Sequence, residues 1–185
     1  MWNIPNLLTM FRLLLIPVFI FCFYSGWEHY RFWAALVFCL AAITDALDGY
    51  LARKLQQSTP FGAFLDPVAD KVMVAVALVV LAIHEQTLWF SIPAIIIISR
   101  EIAISALREW MAEIGKRANV AVSNLGKYKT IAQMLALIGL IWQPQFTLLA
   151  WFTPVGYAML YLATLLTLWS MYQYLTAAWH DLSQS

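Results

Sequence analysis

The chain has 185 residues, of which 63% are hydrophobic and 11% charged, with a formal net charge of +1. Soluble chains carry about 25% charged residues, and a mean hydropathy of +0.74 is too apolar for a water-facing surface. Together these values exclude a soluble globular enzyme, a disordered chain and a basic nucleic-acid-binding domain, and they leave a polytopic membrane protein.

A membrane helix needs about 20 mostly apolar residues. Six windows meet that need, roughly 7–24, 32–54, 66–84, 88–110, 127–143 and 149–176. The first opens in MWNIPNLLTMFRLLLIPVF, which lacks the basic leader and small-residue cleavage site of a signal peptide and is expected to stay as the first span. Polar clusters separate the windows at Ser25-Gly26, Gln56 to Pro60, Glu85-Gln86, Gly115 to Asn124 and Gln143 to Gln145. The ten-residue alternation of a membrane barrel is missing. With no repeat and no long linker, the reading is one all-α membrane domain over 1–185, with six transmembrane helices.

Lys and Arg in the short loops set the orientation. Arg53, Lys54, Arg108, Lys116, Arg117, Lys127 and Lys129 fall on one side and Arg31 alone on the other. The rich side is expected to be cytoplasmic, with both termini there. Trp27, Tyr30, Trp33, Trp89, Trp110, Trp142, Trp151 and Trp179 fall near span ends, as interfacial aromatics do. Cys22 and Cys39 lie in apolar runs without zinc spacing and read as small core residues. His29, His84 and His180 lie at span ends and form no metal cluster in the sequence.

Four acids stand out. The second window ends in TDALDGYLARKL and the third begins in FGAFLDPVADKVMV. One acid at a helix centre costs about 2.5–3.5 kcal/mol, so Asp45, Asp48, Asp66 and Asp70 need compensation. Asp45, Asp48, Gly49 and Ala52 share one helix face; Gly62, Asp66 and Asp70 share another. A hairpin at 55–61 would bring the two faces together near the cytoplasmic end. Four carboxylates in one small volume need cations among them, and hard oxygen donors suit Mg²⁺ or Mn²⁺. Asp66-Pro67 also fits a helix N-cap followed by Pro at the first helical position, and Asp45 or Asp48 can pair with Arg53.

As one string, Asp45-x2-Asp48-Gly49-x2-Ala52-Arg53-x8-Gly62-x3-Asp66-x3-Asp70 matches at every fixed position the signature of the CDP-alcohol phosphotransferase family, which the chain resembles. The resemblance extends to Asn6-x2-Thr9-x2-Arg12 and to NIPNLLTMFRLLLIP, SREIAISALREWMAE and GKYKTIAQM. It implies the CDP-alcohol phosphotransferase fold and a metal-dependent transferase that moves a phosphatidyl group from CDP-diacylglycerol to an alcohol and releases CMP. The implied acceptor is sn-glycerol 3-phosphate, and a two-metal site of Mg²⁺ or Mn²⁺ is expected. Asp45, Asp48, Asp66 and Asp70 correspond to the metal ligands, and Asp70 also to the general base. Asn6, Thr9, Asp48, Gly49, Ala52, Arg53 and Gly62 are the expected CDP-diacylglycerol contacts. A homodimer in the bacterial inner membrane follows from the same resemblance, with no nucleic-acid partner.

A dianionic acceptor needs fixed positive charge near the aspartates. Arg108, Lys127 and Lys129, at the cytoplasmic ends of the fourth and fifth windows, are the residues expected to bind glycerol 3-phosphate, and ordinary positive-inside anchoring is the competing role for each. Arg12 lies on the same side. Lys116 and Arg117 are expected to face solvent or headgroups. Arg100-Glu101 sits mid-span, and Glu101 is expected to pair with Arg108 or with a residue on another span. Cardiolipin, phosphatidylserine and phosphatidylinositol phosphate synthesis share the signature and stay open at this point, although the basic residues weigh against serine. A cation-coupled transporter is a remote alternative, because its acids usually sit at the midplane of repeated halves. A purely structural membrane subunit leaves the aspartate spacing unexplained.

Overall fold

The computed structural model describes residues 4–55, 60–113, 124–144, 149 and 151–182. Six helices account for nearly all of them: α1 Ile4–Tyr24, α2 Tyr30–Leu55, α3 Pro60–Glu85, α4 Leu88–Glu113, α5 Asn124–Trp142 and α6 Phe152–Leu182. All six windows are therefore helices, and most run longer than the apolar stretch that announced them. Four carry a segment long and apolar enough to cross a membrane: Asn6–Tyr24, Tyr30–Asp48, Leu88–Met111 and Phe152–Thr176. The apolar part of α5, Tyr128–Trp142, is shorter. The protein is a multi-pass membrane protein by this measure.

The third helix corrects one expectation. α3 begins at Pro60, so Asp66 and Pro67 lie inside it rather than at its cap. Pro60 supplies the proline that suits a first turn, because its missing N–H would have no intrahelical partner there. α2 ends at Leu55 and α3 begins at Pro60, so the helices extend into both ends of the hairpin expected at 55–61.

Apolar side chains lie on the outside of the bundle as well as in its core, as lipid exposure allows. Leu14, Ile95, Ile102 and Leu165 are among the most exposed side chains, whereas Asn6, Thr9, Arg12 and Asp48 are buried. Apolar groups facing lipid leave polar groups to seek partners within the bundle. α1 lies along α2 and α3, and α5 lies along α6 and also meets α2. Phe19 of α1 meets Phe38 of α2 with ring centroids 6.1 Å apart. At the α5–α6 seam, a Cβ on Gly156 would come within 2.9 Å of Leu140 Cγ, and one on Gly139 within 3.6 Å of the Gly156 Cα. Two glycines thus let these helices approach closely, the device that drives helix association in lipid.

The end of the bundle away from the aspartates is tied by a polar knot. Glu85 accepts from Gln143 Nε2 at 2.8 Å and from the Tyr157 hydroxyl at 3.2 Å, and lies 3.9 Å from Arg31. Arg31 also bonds Gln143 and His84. The basic residue that stands alone on its side of the sequence therefore joins the ends of α2, α3 and α5, and Glu85 adds α6. Trp27, Trp33, Trp89 and Trp151 are exposed near helix ends, as interfacial aromatics are.

Candidate active site

The start of α1 builds the site. Asn6, Thr9 and Arg12 recur every three residues, so they form one helix stripe, and all three are buried. The stripe faces both aspartate helices. Arg12 Nη1 lies 2.6 Å from Asp45 Oδ1, and Arg12 Nη2 donates to Asp48 Oδ2. Thr9 donates its hydroxyl to Asp66 Oδ1. One face of α1 thereby grips α2 through a guanidinium and α3 through a hydroxyl.

Arg12 is 1% exposed and Asp48 3%, while Asp45 is 40% exposed. A guanidinium bridging two carboxylates is a strong arrangement, since its planar fork offers several donors at fixed angles. Its burial makes the converse true as well: removing one partner leaves a charge stranded. Arg12 is a partner of Asp45 and Asp48 in addition to Arg53, which the sequence allowed to pair with either. The surroundings of Gly49, Ala52, Arg53 and Lys127 lie outside what is described, as do Lys116, Arg117, Trp179 and His180. Gly62 is buried on α3.

Asp70 is placed differently from the other three acids. Among the described residues it has no hydrogen-bond or ion-pair partner. With Asp45 and Arg12 it lines a small crevice walled by Phe38, Met73 and Met134. It also lines a much larger cavity of about 530 Å³ between α3, α4 and α5. Asp70 therefore stands where the aspartate cluster opens into the cavity.

The walls of that cavity are mostly aliphatic, from Val72, Leu78, Ile97, Ile98 and Ile102, and its polar groups include Lys71, Glu101, Ser105, Lys129 and Gln133. Lys129 of α5 pairs with Glu101 of α4. This is the cross-span partner that Glu101 was expected to need. Arg100 also meets Glu101, at 3.0 Å. Lys71 donates to Ser105. Arg108 goes elsewhere: it donates to the Tyr174 hydroxyl at 3.0 Å and lies over that ring at 5.1 Å. Of the basic residues expected to bind an acceptor phosphate, Lys129 reaches the cavity and Arg108 is not among its lining residues.

Two participants escaped the sequence reading. Lys71, which follows Asp70, was not among the residues expected to bind the acceptor, yet it lines the cavity. Arg12 was expected at the level of the aspartates but without its partners; its three-residue spacing from Thr9 was the available signal.

The donor set can be tested against a divalent cation. Among the described residues no three His, Cys, Asp or Glu side chains are gathered closely enough to hold a metal ion. The chemistry nevertheless fits: hard carboxylate oxygens are what Mg²⁺ and Mn²⁺ take, and the carboxylates of Asp45 and Asp48 already draw a cationic group between them.

Comparison with known proteins shows the family of the chain. A family model described as CDP-alcohol phosphatidyltransferase matches residues 2–169. A protein of Shigella flexneri serotype 5b (strain 8401) is 57% identical over 181 residues, 98% of this chain and 97% of its own length. One from Sodalis glossinidius (strain morsitans) is 57% identical over 180 residues, 97% of both chains. One from Escherichia coli (strain K12) is 56% identical over 181 residues, 98% of this chain and 97% of its own. All three are named CDP-diacylglycerol–glycerol-3-phosphate 3-phosphatidyltransferase. With the family model spanning most of its length and relatives this similar from end to end, the chain belongs to the CDP-alcohol phosphatidyltransferase family.

Proposed function

We propose that the protein transfers the phosphatidyl group of CDP-diacylglycerol to sn-glycerol 3-phosphate, giving phosphatidylglycerophosphate and CMP. The observation that carries this reading is the position of Asp70, shared between the crevice of Asp45 and Arg12 and the cavity of Lys71 and Lys129. A proton acceptor is needed at the meeting point of a diphosphate donor and a phosphorylated alcohol. The printed name of the relatives states the same reaction for them.

In the proposed reaction an acceptor hydroxyl oxygen forms a bond to the phosphatidyl phosphorus while the bond from that phosphorus to the CMP oxygen breaks. The hydroxyl proton passes to Asp70, and CMP leaves with the bonding electron pair. Transfers of this kind depend on positioning and charge stabilisation more than on covalent chemistry. Asp45, Asp48, Asp66 and Asp70 would hold Mg²⁺ or Mn²⁺, in a two-metal site, and the bound cation supplies charge neutralisation on the diphosphate. Asn6, Thr9, Asp48, Gly49, Ala52, Arg53 and Gly62 contact CDP-diacylglycerol. Thr9 orients Asp66, and Arg12 holds Asp45 and Asp48 in register. Lys129 binds the acceptor phosphate from inside the cavity, and Lys127 and Arg108 are the further basic residues assigned to it.

The reading also places the active site and both termini on the cytoplasmic side of a bacterial inner membrane, and a homodimer joined through exposed apolar side chains of α3 and α4, such as Val79, Ile83, Ile95 and Ile102. The experiment is an acceptor comparison. Purified protein, CDP-diacylglycerol and Mg²⁺ or Mn²⁺ are mixed with labelled glycerol 3-phosphate, serine or inositol phosphate. Label entering the lipid phase from glycerol 3-phosphate alone supports the proposal; transfer only to another acceptor, or none, defeats it.

A further inference from the structure

We infer that Glu101 is a positioning residue for the acceptor phosphate, holding Lys129 directly and Lys71 through Ser105 on the wall of the cavity that Asp70 enters; this rests on the acceptor reading above. An ionised acid within a span is costly, and α4 is a helix long and apolar enough to cross a membrane. Glu101 sits within that segment, so it must be compensated.

The compensation is organised rather than incidental. Glu101 Oε1 accepts from Lys129 of α5 and from Arg100 Nη1 at 3.0 Å. Arg100 Nη2 in turn donates to Ser170 of α6. The main-chain carbonyl of Glu101 accepts the Ser105 hydroxyl at 2.5 Å, and Ser105 accepts from Lys71 of α3. Side chain and main chain of one residue thus tie elements from α3, α5 and α6 to α4.

Lys71, Ser105, Glu101, Lys129 and Asp70 all line the same cavity. Lys129 and Arg100 both meet the Glu101 carboxylate, and Lys71 reaches the Glu101 main-chain carbonyl through the Ser105 hydroxyl. A buried ammonium without a counter-charge is strongly unfavourable. Glu101 supplies that counter-charge to Lys129 before a phosphate arrives and keeps its ammonium on the cavity wall. A phosphate entering the cavity then finds two ammonium groups among its lining residues, Lys71 of α3 and Lys129 of α5.

The test measures the KM for each substrate with full-length protein in mixed micelles, for wild type, Glu101→Gln, Lys129→Met and the double variant. Glu101→Gln is expected to raise the KM for glycerol 3-phosphate about tenfold, the loss of one charge-assisted contact. The KM for CDP-diacylglycerol should stay within about twofold, and the double variant should match Lys129→Met, because coupled residues are not additive. A merely structural role would raise both KM values together, and that result, or an unchanged acceptor KM, would overturn the inference. If Glu101→Gln does not accumulate in the membrane, Glu101→Asp carries the same comparison: a rise of about threefold in the acceptor KM supports the role and no rise overturns it. A wild-type protein that transfers nothing to glycerol 3-phosphate defeats the underlying reading; one that transfers normally beside an unaffected variant defeats the positioning role alone.

Discussion

Arg12 Nη1 lies 2.6 Å from Asp45 Oδ1, and the other terminal nitrogen of the same guanidinium holds Asp48. A cation from α1 therefore stands between two acids of α2. The pair fixes the rotation of α1 against α2, and with it the stripe that brings Thr9 to Asp66.

Breaking this pair should be expensive. Arg12→Met keeps most of the side-chain volume but takes the guanidinium away from the buried Asp48 carboxylate, a change that costs about 3–5 kcal/mol in comparable buried pairs. Thermal unfolding in detergent should show a large fall in midpoint. Added Mg²⁺ or Mn²⁺ should recover part of it, since a divalent cation can take the place of the lost guanidinium. A midpoint that falls and ignores the cation would argue against metal binding at Asp45 and Asp48.

Thr9→Val removes the hydroxyl that donates to Asp66 while keeping a branched side chain. A hydrogen bond to a charged group contributes about 1.5–3 kcal/mol. Transfer activity per folded molecule should fall about tenfold if that energy is used to orient Asp66. An activity equal to wild type would mean that Asp66 is held by other contacts.

The far end of the bundle offers a contrast. Glu85→Ala removes the acceptor shared by Gln143 and Tyr157 and the neighbour of Arg31. Stability should drop by about 1–3 kcal/mol, read as a lower unfolding midpoint. Both substrate KM values should remain within about twofold of wild type, because the polar knot lies at the opposite end from the aspartates. A selective change in either KM would show that the two ends are coupled.

Much of the fold was legible in the sequence, for physical reasons. Apolar windows of span length located all six helices, because lipid leaves little room for other backbone structure. The aspartate faces followed from helical spacing alone. The failures were tertiary. Arg12 and Asp48 are 36 residues apart, and Lys129 and Glu101 are 28 apart; no local period reports which helix faces which. Asp66 looked like a cap because Pro follows it, but Pro60 had already opened the helix. Arg108 and Lys129 look alike on a loop-charge count, yet Lys129 turns to Glu101 and Arg108 to Tyr174. Each choice depends on an acidic or aromatic partner that only the packed bundle brings within reach.

The most direct test of the account is the initial rate of CMP release from CDP-diacylglycerol, measured with and without glycerol 3-phosphate, with and without a chelator, in wild type and in Asp70→Asn. Asparagine keeps the shape of the side chain but cannot take up the acceptor proton. The account predicts release that requires glycerol 3-phosphate, stops when divalent cations are removed, and falls by at least about a hundredfold in Asp70→Asn, the usual scale of a general base. Release at the wild-type rate in Asp70→Asn, or release indifferent to glycerol 3-phosphate, would contradict it.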